Sequence, residues 1–214
     1  MLRKTLFLIA ACAMAASVTA GNVQVQVLDK DGRPVPDAVV VVYPSTPAAP
    51  VASNATIGQQ RMRFVPLVTV VAPGSRVRFT NLDRWDHHIR GTAAVNSVPG
   101  APSGTNFEMR LAGATADATG GEADVVVQEP GAVLLGCHLH GSMRGHLFVT
   151  DSAYTLKTDA DGIARFDQIP EGAAQLRVWH PEQLVDLPRR ALQIGAAPVL
   201  ESVPLSVVPR RRRS

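Results

Sequence analysis

Cys137, His140 and Met143 stand in GCHLHGSM, residues 136–143, with two residues between each of them and the next. A thiolate, an imidazole and a thioether in that pattern are donors for a soft or borderline transition metal. Upstream, FTNLDRWDHHIRG at residues 79–91 carries the pair His87-His88 directly after an alternating stretch. One imidazole from that loop and three donors from a later loop make a complete metal site only if rigid strands hold both loops together. Although Asp83 and Asp86 precede His87, the late loop holds no carboxylate, which argues against a hard-cation site.

Both His87 and His88 are candidates for the upstream donor. His138 follows Cys137 and on extended backbone points the opposite way. Zinc is the chemical rival, because cysteine with two or three histidines also suits that ion. His88 or His138 would then take the place of Met143. No HExxH helix is present, and the nearest general base is Asp86. Each residue also has a plain structural reading: Cys137 as a buried thiol, Met143 as core filler and His140 as a surface side chain. His146 and His180 are left unassigned and structural, respectively, with Trp179 as packing and Trp85 as a shield or rim beside His87.

The elements that must position these residues read as strands. VQVQV at 23–27 alternates with period two, DKDG at 29–32 is a turn, and Ala38–Tyr43 is a valine-rich run closed by Pro44. Residues 44–61 read as loop or linker, as do 90–106 and 112–121. Between and after them come short strand signals at 62–64, 67–71, 76–80, 107–111, 123–128, 132–135 and 146–149. From Thr155 a second pattern appears, with a DADG turn at 159–162, strands at 163–166 and 175–179, a Pro-Glu-Gly turn at 170–172 and a last strand over 199–207. No stretch combines helical periodicity with caps, so the fold class is all-β, of sandwich or barrel type.

The ligand pattern resembles the cupredoxins, the type 1 blue-copper proteins. The late motif Cys137, His140, Met143 has the short spacing of amicyanin-like members, and His87 matches the early ligand after Asn81. His88 stands where asparagine is common. The resemblance implies a Greek-key β-sandwich binding one type 1 copper through His87, Cys137, His140 and Met143. VLDKDGRPVPDAVVVVYP and TDADGIARFDQIPEGAAQLRVWHPE resemble a transthyretin-like, carboxypeptidase-regulatory-like β-sandwich. The whole layout is similar to bacterial methylamine-utilisation-like proteins. The expected organisation is a leader at 1–20, N-terminal strands and linker at 21–61, a copper domain at 62–150, a transthyretin-like domain at 151–209 and a basic tail at 210–214. The strands of 21–61 either complete the last domain, with the copper domain inserted, or belong to the copper domain.

MLRKTLFLIAACAMAASVTA reads as a secretory signal cleaved after Ala20, which leaves no membrane anchor and points to the periplasm. Ile9-Ala10-Ala11-Cys12 also resembles a lipobox. Cleavage leaves Cys137 as the one cysteine and 19 Lys+Arg against 18 Asp+Glu, four of them the tail Arg210–Arg213. The body carries no basic stripe for nucleic acid, while the tail suits an anionic surface. With no further histidine clusters for extra coppers, a carrier is expected rather than an enzyme. It would pass single electrons between periplasmic redox partners. The alternatives are a copper chaperone, buffer or sensor with a copper donor or acceptor, and a binding module whose zinc or copper is structural.

Overall fold

The computed structural model describes residues 19–93, 105–183 and 185–207, and among them every regular element is a strand. β1 (Ala20–Leu28) and β2 (Val39–Pro44) come first. Then follow β3 (Asn54–Gln60), β4 (Arg63–Val65), β5 (Val68–Val71), β6 (Arg76–Asn81), β7 (His87–Ala93) and β8 (Phe107–Leu111). β9 (Glu122–Val126), β10 (Gly131–Cys137) and β11 (Arg144–Val149) lead to the last group. This comprises β12 (Thr155–Lys157), β13 (Ile163–Pro170), β14 (Gly172–Trp179), β15 (Arg190–Ile194) and β16 (Val199–Pro204). Residues 1–18 of the expected leader, with Cys12, most of the loop after Ala93 and Arg210–Arg213 lie outside the described residues, whereas Ala20 opens β1. No helix among the described residues is long and apolar enough to cross a membrane.

Four sheets pack as two sandwiches. The sheets β13-β1-β16 and β12-β2-β14-β15 enclose one core, in which Val23, Val25 and Val27 meet Val40, Val42 and Leu176. The strict alternation of β1 explains its half: Gln24 and Gln26 face outward while the valines are buried. First and last strands therefore share one sandwich, β1 lying between β13 and β16. Two turns of one design serve it. Asp29 Oδ1 accepts the N–H groups of Asp31 and Arg33, and Asp159 Oδ1 those of Asp161 and Ile163. Gly32 and Gly162 supply the positive φ (77° and 71°) that each turn requires.

The second sandwich packs β5-β11-β10-β7-β8 on β4-β3-β6-β9. Ile57, Phe79, Ile89, Leu135 and Leu147 fill its core, and Cys137 and Met143 belong to the same cluster. It starts at β3, inside the stretch 44–61 expected to be loop. Ile57 is the one large apolar residue of that strand, and β3 is ordered by its position between β4 and β6. The loop expected from residue 90 likewise begins later, because β7 runs to Ala93 paired with β8 and β10.

The two sandwiches meet on a third apolar cluster of Val39, Val41, Val68, Ala132, Phe148 and Trp179. This accounts for the valine run of β2, which is buried on both faces: Val40 and Val42 inward, Val39 and Val41 toward the seam. Each valine so buried contributes roughly 1.5–3 kcal/mol relative to exposure.

Candidate metal centre

At one end of the second sandwich, β6 finishes on Asn81, and this side chain shapes the ligand loop. Asn81 Nδ2 donates to the carbonyls of Trp85 and Ala112, both at 2.9 Å, and its Oδ1 accepts the Asp83 N–H at 2.9 Å. The loop 82–86 is thereby folded back so that β7 opens with His87 pointing inward. Gly120 allows the 112–121 loop to close over this corner, since a Cβ there would collide with the Asn81 carbonyl.

His87 is fully buried, and Cys137 is 4 % exposed at the end of β10, where it pairs with Ile89 of β7. His140 is half-buried in the loop beyond. His87 Nδ1 and His140 Nδ1 lie 3.2 Å apart, and Cys137 Sγ is 3.6 Å from the first and 3.5 Å from the second. No other group of three or more such donors is found among the described residues. A point equidistant from the three atoms is about 2.0 Å from each, close to ordinary metal–nitrogen bonds and slightly short for metal–sulfur. Three donors converge on one point, in the His₂Cys trigonal arrangement that fits a copper site.

Met143 is buried in the apolar cluster that also holds Cys137, and its N–H bonds the His140 carbonyl at 2.9 Å, which tightens the loop. The plain reading of His140 as a surface residue is replaced by a half-buried side chain turned to the other donors. The neighbouring histidines face the opposite way, as the two-residue alternation of strands requires. His88 pairs with Glu108 at 2.6 Å, and the exposed His138 lies with its ring centre 5.6 Å from that of His88. A four-donor zinc site completed by His88 or His138 is therefore not formed. His146 packs against Trp179 at the seam, where burial first and then the charges of His180 and Arg144 push its pKa down to about 4. Trp85 is 45 % exposed on the loop before His87.

The residue whose part sequence reasoning missed is Asp83. It is almost fully buried, and its Oδ2 lies 3.0 Å from His87 Nε2, the ring nitrogen facing away from the other donors. The same carboxylate accepts the N–H groups of Arg61 at 2.6 Å and Met62 at 2.9 Å. Burial alone would raise its pKa, but those N–H groups and the His87 ring together hold it below the ordinary carboxylate value. Its spacing of four residues before His87 was the available signal. Asp86, the nearest base in sequence, is instead engaged by the Gly113 N–H and Arg110.

No family model and no curated protein matches the sequence. Solved structures are similar to it in part. One is a copper-containing nitrite reductase from Thermus scotoductus SA-01, 20 % identical over 50 % of this chain and 26 % of that one, TM-score 0.36. Others are a purple cupredoxin from Nitrosopumilus maritimus (22 % identical, 45 % of this chain, 99 % of that one, TM-score 0.34) and amicyanin from Paracoccus versutus (16 %, 52 %, 97 %, 0.34). This chain spans about a quarter of the nitrite reductase's length.

Proposed function

We propose that the protein is an exported single-copper electron carrier, with His87, Cys137, His140 and Met143 as the ligand set. The observation that carries this reading is the triangle of two imidazole nitrogens and one cysteine sulfur, with a buried methionine next in the loop. Copper bound there would supply one-electron exchange between Cu(II) and Cu(I). The chain's own contribution is to fix the donors. Cys137 is held by the β10–β7 ladder, His87 by Asp83, and His140 by the turn that Met143 closes. Burial of His87, Cys137 and Met143 excludes water, so the donors change little between oxidation states.

The thioether favours copper over zinc. Structural zinc closes with four strong donors, whereas Asp83 is committed to His87 and two backbone N–H groups, and Asp86 to Arg110 and Gly113. The loops at this end carry exposed Met62, Leu82, Trp85 and Leu139, apolar side chains that suit brief contact with a periplasmic redox partner. A second reading, a copper chaperone or buffer, draws on the partial exposure of His140, which leaves one ligand reachable by a copper donor or acceptor.

The test is a Cu(II) titration of metal-free residues 21–214 followed in the visible. An intense thiolate-to-copper band that vanishes in Cys137→Ser is the expected result. Tight zinc binding without such a band would overturn the copper reading. Rapid copper loss to a Cu(I) chelator, with no reversible redox cycle, would favour the chaperone.

A further inference from the structure

We propose that Asp83 is a positioning residue that holds His87 as its Nε2–H tautomer, with Nδ1 presented to the metal, and that its buried negative charge stabilises Cu(II) over Cu(I). The inference rests on the copper reading above and concerns how that site is tuned. The geometry leaves Asp83 one role. One oxygen faces the Arg61 N–H at 2.6 Å, and the other meets both the Met62 N–H at 2.9 Å and His87 Nε2 at 3.0 Å. Arg61 and Met62 adopt positive φ (52° and 57°), so the β3–β4 turn is shaped to aim two N–H groups at this carboxylate. Asp83 is 7 % exposed, and little solvent screens its charge from the ring it touches. A carboxylate accepting the remote N–H of a ligating imidazole makes that imidazole a stronger donor. Cu(II), the more highly charged ion, gains more from this than Cu(I).

Asp86 provides the control. It carries the same charge one residue before His87, but it is more exposed and bonds Gly113 and Arg110 rather than the imidazole. Asp83→Asn and Asp86→Asn therefore remove equal charge, and only the first alters the partner of His87. Loss of such a partner typically weakens metal binding by about 10- to 100-fold. If the loss falls on Cu(II) alone, the lower end raises the midpoint potential by about 59 mV for a one-electron couple.

The experiment is a spectroelectrochemical titration of the copper-loaded wild type and both variants, with nitrogen-15 NMR of the zinc-loaded wild type. The expected result is a midpoint raised by about 59 mV or more in Asp83→Asn with the thiolate band retained. Asp86→Asn should move it by less than half as much, and the NMR should place the His87 proton on Nε2. Equal shifts in the two variants, or none in Asp83→Asn, would overturn the proposal. So would a proton on His87 Nδ1, and that arm stands even if Asp83→Asn fails to fold. A wild type with no thiolate–copper band would defeat the copper reading instead, while the zinc-loaded NMR still decides the tautomer.

Discussion

Replacing Asn81 by alanine tests whether the ligand loop is held by one side chain. The buried amide satisfies the Trp85 and Ala112 carbonyls and approaches that of Leu111 at 3.3 Å, while its oxygen satisfies the Asp83 N–H. Alanine leaves at least two acceptors and one donor without partners in a corner from which solvent is largely excluded. Each orphaned buried group costs about 1–3 kcal/mol, and partial exposure of the Trp85 and Ala112 contacts sets those two near the lower figure. The expected loss is about 3–4 kcal/mol in the metal-free protein, a large share of a typical domain's stability. The assay is equilibrium urea unfolding of metal-free wild type and Asn81→Ala, with Cu(II) titration of each. The thiolate band should weaken or shift as His87 loses its frame. Asn81→Asp should not rescue, because it restores the acceptor for Asp83 and sets a carboxylate against the carbonyls. A loss under about 1 kcal/mol with an unchanged copper spectrum would refute the reasoning.

Trp179→Ala should cost about 3–5 kcal/mol and separate the melting of the two sandwiches, so that calorimetry shows two transitions; a single transition with little loss would mean the seam contributes little. His146 has a folded pKa of about 4, below its ordinary value, so the unfolded chain binds more protons between roughly pH 4 and 6.5. Its contribution is present above about pH 6.5 and is lost as pH falls toward 4, amounting to about 3 kcal/mol. His146→Gln should flatten that part of the stability profile, and an unchanged slope would assign it to other groups. Gly145→Val should destabilise strongly, because a Cβ there would press on the Phe64 side chain across the sandwich; native-like urea unfolding of that variant would show that Phe64 can yield.

The cluster of His87, Cys137 and His140 was legible because its chemistry is carried by residue type and short spacing: Cys137 and His140 sit in one loop, and His87 follows a clear strand. The separation of His87 from His88 needed the structure, since adjacent residues differ only in which face of β7 they occupy. Asp83 was missed as a partner despite its four-residue spacing from His87, because its other contacts come from Arg61 and Met62, on a turn read as the edge of a linker. β3 escaped notice for a related reason, as Gln59 is buried in the strand with its amide bonded to the Ile57 carbonyl, which composition alone scores as loop. The seam valines of β2 were seen as a strand, but the reason for an unbroken run lies in Trp179 and Phe148 far along the chain.

The sandwich that contains the first and last strands is interrupted by the other one, and the points of departure and return lie side by side. Val42 N–H bonds the Tyr154 carbonyl at 2.9 Å, and Ala153 N–H that of Ala48 at 3.1 Å. For the outer sandwich the entire inner sandwich is thus a loop. As a random coil of about 100 residues it would oppose closure by about 4 kcal/mol. Once folded, it delivers its two ends already adjacent and most of that entropy has been spent within its own core. Assembly in this order makes the inner sandwich a template for the outer one. Damage to the inner core should therefore slow formation of β1–β13 and β2–β14 pairs that contain none of the altered residues, a delay readable by stopped-flow refolding.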